Sequence, residues 1–299
     1  MFEKIMVPLD GSELAEASLD YAEELSIAFG SEVVLLHIGG LDGEKYHRVL
    51  QMYLNRLAET VKENIEKKET QAKQVTVTTR VETGEAGESI CKLVEKNNIE
   101  LIIMTSVSVS GLRVGKMLGS VTERVCRTVP IPVLLMRPES VRHIGEKGRL
   151  INQILLPLDG SELGKTALPI AEELASTLKA NITIFQMAHM IPIYDNGTGG
   201  VAFMNYAKLD EAEKERVDAE MLTVENELKN KQLSVSTVVT SGFDAGSDII
   251  ETGKKVGADL VIMSTHGRSG LGRWFFGNTA EKVLRHGDIP LLLVNAKAD

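Results

Sequence analysis

The chain contains the same ten-residue segment twice, and this repeat constrains its fold more than any other feature. Residues 5–14 read IMVPLDGSEL, and residues 154–163 read ILLPLDGSEL. A second pair follows, since residues 101–104 read LIIM and residues 260–263 read LVIM. The offsets of the two pairs, 149 and 159 positions, are similar, so the whole chain is a duplication rather than two uses of one short motif. We therefore expect two domains of one fold in tandem.

Chain length and composition agree with two globular domains. The 299 residues suffice for two domains of common size, and 43% hydrophobic with 25% charged residues is ordinary for globular proteins. The first domain is predicted over residues 1–140 and the second over residues 151–299. Residues 141–150 between them are polar and carry Gly145 and Gly148, which is typical of a linker.

Each copy alternates short apolar runs with amphipathic stretches. The apolar run at residues 33–38 is typical of a strand that is buried on both faces. A long helix is predicted after it from apolar residues spaced by four, three, four and four: Leu50, Leu54, Leu57, Val61 and Ile65. Five strands alternating with four helices predict the α/β class, with two tandem doubly wound domains, each a five-stranded parallel sheet flanked by helices.

Composition also excludes several classes of function. The formal charge of −9 argues against broad binding of nucleic acids or anionic membranes, which needs clustered lysine and arginine. No apolar run approaches the roughly 18 residues of a membrane span, and the first residues lack a signal-peptide pattern. Cys91 and Cys126 have no CxxC partner and are interpreted as buried thiols. We therefore expect a cytoplasmic protein with no membrane or nucleic-acid partner.

The loop after the fourth strand of copy two is the strongest candidate for a binding site. In a doubly wound sheet, ligands bind beyond the carboxyl ends of the strands. This loop carries four glycines before the last helix: Gly267, Gly270, Gly272 and Gly277. Glycine lets the backbone approach a ligand closely, and a helix N-terminus offers unpaired N–H groups with a partial positive charge. Residues 277–279 therefore suit a phosphate, whereas Arg268 and Arg273 are either charge donors or solvated loop residues.

These motifs together resemble the universal stress protein family. The opening Pro-x-Asp-x-Ser of that family is present at residues 8–12 and again at residues 157–161. The ATP-binding branch of the family carries Gly-x2-Gly-x9-Gly followed by Ser or Thr after strand four. Copy two is similar to this pattern, reading Ser264-x2-Gly267-x9-Gly277-Asn278-Thr279. The first glycine is replaced by serine, and a hydroxyl residue is replaced by Asn278.

The resemblance implies an adenine nucleotide in copy two, either ATP or AMP, with Mg²⁺ on the phosphates when the ligand is ATP. It implies that Asp159 and Met187 hold the nucleoside, while Gly267, Arg268 and residues 277–279 line the phosphates. The full set of nucleotide-binding residues expected from the sequence is Pro157, Asp159, Met187, Met263, Ser264, Gly267, Arg268, Gly270, Gly277, Asn278 and Thr279.

Three segments at predicted helix starts match the capping box or a variant of it: residues 120–123, 159–162 and 278–281. In such a box the first side chain accepts a hydrogen bond from the third helical N–H group. For Asp159 and Asn278 this role competes with ligand binding, and both interpretations stay open. An Asn278 cap would leave open whether ATP or AMP is the ligand.

Copy one departs further from the family pattern. Its loop places Ser108 at the position of Gly267 when aligned from upstream, and Val109 when aligned from downstream. A β-branched residue strongly disfavours φ > 0 and would obstruct close approach of the backbone to a phosphate. We therefore expect a degenerate nucleotide loop in copy one and one tight site per chain, in copy two.

Three functions are compatible with these residues: a nucleotide-binding stress-response or signalling module with an unidentified protein partner, a slow ATP hydrolase, and an interaction protein without a ligand. The four glycines favour the first over the third. The sequence does not separate the first from the second, because it identifies no catalytic residue and no general base. No two histidines have the spacing of metal ligands.

The last strand of each copy is expected to join the two domains. Long apolar edge strands promote aggregation unless they are paired or covered. In this family the last strand commonly pairs two subunits, so the resemblance implies that the duplication brings both partners into one chain. We predict antiparallel pairing of residues 132–136 with residues 290–294, which makes the chain an intramolecular pseudo-dimer. Homodimerisation of the whole chain stays open.

Overall fold

The computed structural model describes residues 1–39, 43–68, 75–106, 118–137, 148–190, 201–266 and 276–295, of which 43–45 and 201–209 are described by backbone alone. Copy one consists of β1 Lys4–Pro8, α1 Glu13–Glu16, α2 Ser18–Phe29, β2 Glu32–Gly39, α3 Gly43–Lys68, β3 Val77–Thr83, α4 Ala86–Lys96, β4 Leu101–Thr105, α5 Ser120–Thr128 and β5 Val133–Met136. Copy two consists of β6 Gln153–Pro157, α6 Glu162–Lys165, α7 Leu168–Leu178, β7 Asn181–His189, α8 Val201–Asn230, β8 Val235–Gly242, α9 Ala245–Lys255, β9 Leu260–Ser264, α10 Asn278–His286 and β10 Leu291–Val294.

All ten strands form one sheet, in the order β3-β2-β1-β4-β5-β10-β9-β6-β7-β8. Pairing is parallel within each half. At the centre, β5 and β10 pair antiparallel, with Leu134 opposite Leu292. The predicted α/β class with two doubly wound halves is confirmed, and so is the predicted pairing of the two last strands.

In each half, successive strands are added first on one side of the first strand and then on the other. This change of side falls between β1 and β4 in copy one and between β6 and β9 in copy two. In an open parallel sheet, a crevice forms beyond the carboxyl ends of the strands at such a switch point. Because the two halves are antiparallel to each other, their carboxyl ends lie at opposite margins of the sheet. The fold therefore offers two crevices that are far apart.

The hydrophobic core lies in two layers, one on each face of the sheet. Alternation along β1 shows the division, since Ile5 and Val7 belong to one layer and Met6 to the other. Helix α3 contributes Leu54 and Val61 to the first layer. Each layer contains buried residues from both copies, so the apolar core is continuous across the boundary between them.

Reciprocal contacts tie each copy to the other near the starts of their first strands. The Glu24 carboxylate in α2 accepts hydrogen bonds from the backbone N–H groups of Leu150 (2.6 Å) and Ile151 (3.0 Å). Glu173 in α7 occupies the position equivalent to Glu24, and its carboxylate lies 3.2 Å from the amino group of Met1. The two halves are thus related by a pseudo-two-fold arrangement. None of the described helices is both long and apolar enough to cross a membrane.

We predict that Leu292→Ala lowers the free energy of unfolding of the whole chain by about 2–5 kcal/mol, because Leu292 is buried where the two halves pair. Urea denaturation followed by circular dichroism measures this change. The matched control is Leu222→Ala, whose side chain is 56% exposed and whose substitution should change stability by less than about 0.5 kcal/mol. Equal effects of the two substitutions would contradict a stabilising role for the central strand pair.

Candidate functional site

A cavity of about 270 Å³ lies at the switch point of copy two, beyond the carboxyl ends of β6 and β9. Eight of the eleven residues predicted from the sequence line it: Pro157, Asp159, Met187, Met263, Ser264, Gly277, Asn278 and Thr279. The other three, Gly267, Arg268 and Gly270, lie outside the described residues. The structure therefore brings together all of the predicted residues that it describes.

The turn after β6 holds the Asp159 carboxylate at one end of this cavity. Gly160 adopts φ +76°, a left-handed conformation that turns the chain sharply into α6. The Asp159 Oδ1 atom accepts hydrogen bonds from the Ser161 backbone N–H (3.0 Å) and hydroxyl (2.6 Å). Ser161 in turn caps α6 by accepting a hydrogen bond from the Gly164 N–H at 2.9 Å. Of the two interpretations left open for Asp159, the capping role is wrong, because Ser161 occupies the N-cap position and Asp159 orients it from two residues upstream.

Gly164 leaves room for the Asp159 carboxylate. A Cβ atom at this position would overlap the Asp159 carboxylate, and Gly164 itself lines the cavity. The equivalent residue in copy one is Ala15, so the two copies differ in how closely the carboxylate approaches the helix. Sequence analysis missed Gly164, although a glycine inside a helix is a signal of close packing.

The start of α10 also lines the cavity. Gly277 is the N-cap residue, with φ −60° and ψ 149°, and no described side chain caps this helix. Helix α5 of copy one begins in the same way at Gly119. Two other helices, α4 and α9, are capped by the side chains of Glu85 and Asp244. The uncapped starts of α5 and α10 therefore present N–H groups to the two cavities.

The capping boxes predicted at residues 120–123 and 278–281 are wrong for one shared reason. The glycine before each segment takes the N-cap conformation, so Ser120 and Asn278 become the first helical residues. A side chain at the first helical position does not accept the hydrogen bond from the third helical N–H group that an N-cap side chain would accept. In the described helix start the Asn278 side chain does not cap α10. Capping therefore does not compete there with ligand binding, the question that the sequence left open.

The wall of the cavity next to β9 is polar. The Ser264 hydroxyl lies 3.3 Å from the Thr166 hydroxyl and accepts a hydrogen bond from the His266 backbone N–H, also at 3.3 Å. The His266 Nδ1 atom pairs with the Thr265 hydroxyl at 2.9 Å. Its Nε2 atom is buried and has no hydrogen-bond partner among the described residues. His266, which sequence reasoning noted in the glycine loop but did not select, also lines the cavity.

The floor of the cavity is apolar. Phe185, Met187 and His189 alternate along β7, so their side chains lie on the same face of the strand. Sequence analysis selected Met187 but missed several other lining residues: Leu158, Phe185, His189, Ala245, Ile249, Thr265 and Ala280. A cavity lined by apolar side chains, a carboxylate and a helix N-terminus suits a ligand with a flat ring, hydroxyl groups and an anionic end.

Copy one has a cavity of about 400 Å³ at the equivalent switch point. Pro8, Asp10, Gly119 and Ser120 line it, at the positions equivalent to Pro157, Asp159, Gly277 and Asn278. The loop on which the predicted degeneracy depends, with Ser108 and Val109, lies outside the described residues. The degeneracy of the copy-one loop thus stays a prediction.

His37 distinguishes the cavity of copy one, because copy two has Gln186 at the equivalent position. Burial lowers the pKa of the His37 imidazole below its usual 6.5, while a hydrogen bond with the Leu9 backbone and the charge of Asp10 oppose this effect. The neutral imidazole is therefore favoured in the folded chain.

The sequence model of the universal stress protein family matches residues 1–137 and again residues 151–295. The chain belongs to the universal stress protein family. The two matched regions correspond to the two copies found in the sequence and in the sheet.

Individual relatives agree with this assignment. Universal stress protein YxiE of Bacillus subtilis is 30% identical over 148 residues, which cover 48% of this chain and 99% of that protein. A universal stress protein of Methanocaldococcus jannaschii is 31% identical over 157 residues, covering 46% of this chain and 96% of that protein. The crystal structure of a universal stress protein from Archaeoglobus fulgidus superposes with a TM-score of 0.69 at 18% identity, covering 99% of this chain and 97% of that one. This last similarity shows a shared fold along both copies.

We predict that His37→Gln reduces the loss of stability on acidification. The folded state lowers the pKa of His37, so the unfolded state binds more protons as the pH falls through about 6.5. Wild type should therefore lose stability between pH 7 and pH 5, and the glutamine variant should lose less. Urea denaturation at both pH values measures the difference. His47→Gln, at an exposed position of α3, is the control, and identical pH slopes for wild type and His37→Gln would refute the prediction.

Proposed function

We propose that this chain binds one adenine nucleotide, ATP or AMP, in the cavity of copy two and acts as a stress-response or signalling module. The observation that carries the proposal is the uncapped start of α10 at Gly277, which faces the same cavity as the Asp159 carboxylate. A nucleotide has the two chemical ends that this cavity suits, a polyhydroxylated nucleoside and an anionic phosphate.

The phosphate end of the ligand is assigned to the start of α10. One anion at a helix N-terminus gains only about 0.3–1 kcal/mol from the helix dipole. Hydrogen bonds to a charged group contribute about 1.5–3 kcal/mol each, and micromolar affinity requires about 8 kcal/mol. Several donors must therefore act together, and we assign this role to the N–H groups of Asn278 and Thr279 with Gly267, Arg268 and Gly270 of the preceding loop. Gly277, whose own N–H donates to the Thr265 carbonyl, keeps the helix start free of a side chain.

The nucleoside end is assigned to the region between β6 and β7. The Asp159 carboxylate suits the ribose hydroxyl groups, which donate hydrogen bonds to an acceptor. Phe185 and Met187 provide apolar surface for the adenine ring. Among the described residues, no group of three or more histidine, cysteine, aspartate or glutamate side chains is placed to hold a metal ion. Mg²⁺ would therefore arrive with ATP and take most of its ligands from the phosphates and water.

The proposal of one tight site per chain depends on the difference between the two loops. Copy two has Gly267 where copy one has Ser108 or Val109, so at this position only the sequence of copy two has a residue without a Cβ atom to obstruct a phosphate. The presence of a cavity in copy one does not oppose this proposal, because phosphate binding needs several converging N–H donors as well as space.

We predict that calorimetric titration with ATP or AMP gives a stoichiometry near one per chain, and that Gly277→Val abolishes the binding. A Cβ atom at Gly277 would meet only the Thr265 backbone carbonyl, at an ordinary contact distance of 3.7 Å. The described part of the chain therefore leaves room for a Cβ atom here, and we expect the added methyl groups to obstruct the ligand. The matched control is Gly119→Val, which places the same side chain at the equivalent helix start of copy one and should leave the tight site unchanged. Two equal tight sites, or a loss of binding only in the Gly119 variant, would contradict the assignment.

We also predict that the protein retains its ligand during purification. Native mass spectrometry of freshly purified chain should show an added mass corresponding to one ATP, ADP or AMP. The Gly277→Val variant, purified in parallel, should have the mass of the bare chain. Bare wild-type chain that also fails to bind added nucleotide would refute the proposed function.

A further inference from the structure

The residue immediately before the proposed phosphate site is held by the other copy. Phe276 precedes the N-cap Gly277 and is only 8% exposed. The Arg127 guanidinium, which belongs to α5 of copy one, lies over the Phe276 ring with its Cζ atom 4.8 Å from the ring centroid. This distance is within the range of a favourable cation–π interaction.

The Arg127 side chain is itself fixed in place. Its Nε and Nη2 atoms donate hydrogen bonds to Glu123 Oε1, at 3.1 Å and 2.9 Å. The same carboxylate oxygen lies 3.9 Å from Arg285 Nη2 in α10, and Arg285 Nε donates to Glu281 Oε1 at 2.9 Å. The last helix of each copy thus contains an ion pair between an arginine and a glutamate, and the two pairs lie next to each other at the boundary between the copies. Together they hold the Arg127 guanidinium against the Phe276 ring.

We propose that Arg127 of copy one is a positioning residue for the nucleotide site of copy two. Through the Phe276 ring it fixes the backbone at Gly277, whose N–H donates to the Thr265 carbonyl at 3.0 Å and whose carbonyl accepts from the Glu281 N–H at 2.9 Å. The inference rests on the proposed function, because it assigns the start of α10 to phosphate binding. It adds that the site in copy two depends on a side chain from copy one.

Copy one has no aromatic residue at the position equivalent to Phe276. The residue equivalent to Phe276 is Leu118, which is partly buried and has no aromatic face. Arg285 is the residue equivalent to Arg127, so the arginine is present in both copies and the ring in only one. A leucine offers a guanidinium no quadrupole to interact with. Of the two described helix starts, the one in copy two is therefore the one whose preceding residue has a ring for the arginine of the opposite half.

The first test measures nucleotide affinity in the full chain. Arg127→Ala and Phe276→Leu, the second of which introduces the residue of copy one, should each weaken binding about three- to tenfold. The double variant should bind no more weakly than the single variants, because both remove the same contact. Arg127→Lys keeps the charge but loses the planar group, and should fall between wild type and Arg127→Ala.

The matched control is Arg124→Ala, which removes the same side chain from the same helix. Arg124 pairs with Glu85 and Glu88 within copy one, and its variant should bind nucleotide within about twofold of wild type. Wild-type affinity in Arg127→Ala would overturn the inference. So would losses that multiply in the double variant, since they would show that Arg127 and Phe276 act independently.

The second test separates this inference from the proposed function, because it uses the chain without nucleotide. Hydrogen exchange of a peptide covering residues 276–286 should be faster in Arg127→Ala and Phe276→Leu than in wild type, and unchanged in Arg124→Ala. Faster exchange in a chain that binds no nucleotide would refute the proposed function and support the contact. Unchanged exchange in Arg127→Ala would overturn the inference whatever the affinity.

Discussion

The antiparallel pairing of β5 with β10 is the interaction on which the rest of this structure depends. Each strand is only four residues long and fully buried, and without its partner it would be an apolar edge with unpaired backbone groups. Pairing joins two five-stranded halves into one sheet and lets both core layers continue across the boundary. It also directs the carboxyl ends of the two halves, and therefore the two cavities, to opposite margins.

The same pairing brings the last helices of the two copies into contact. Because β5 and β10 are adjacent, the helices that precede them also meet, and side chains of α5 reach α10. Duplication then permits equivalent positions to diverge while the backbone is retained, as at Ala15 and Gly164, and at Leu118 and Phe276. The proposed role of Arg127 would let one half change its own ligand while it still supports the site of the other half.

Much of the fold and part of the site could be predicted from the sequence. Hydrophobic periodicity and the repeat predicted the alternation of strands and helices, and the edge argument predicted the central pair. Asp159, Met187 and Asn278 were placed in one cavity because parallel strands bring their carboxyl ends together. The capping boxes failed because a local pattern does not fix which residue takes the N-cap conformation. Gly119 and Gly277 adopt the N-cap conformation, so Ser120 and Asn278 are the first helical residues rather than the caps.

What the sequence by itself determined was the duplicated α/β architecture and the strand ends that form the candidate site, because these follow from local periodicity and from the geometry shared by all parallel sheets. Only the tertiary structure decided which side chains enter the cavity. Phe185 faces it and Gln186 does not, since successive residues of a strand point to opposite faces and strand register sets which face meets the crevice. The contact between Arg127 and Phe276 joins residues far apart in the chain, and it exists only because the two halves pack against each other.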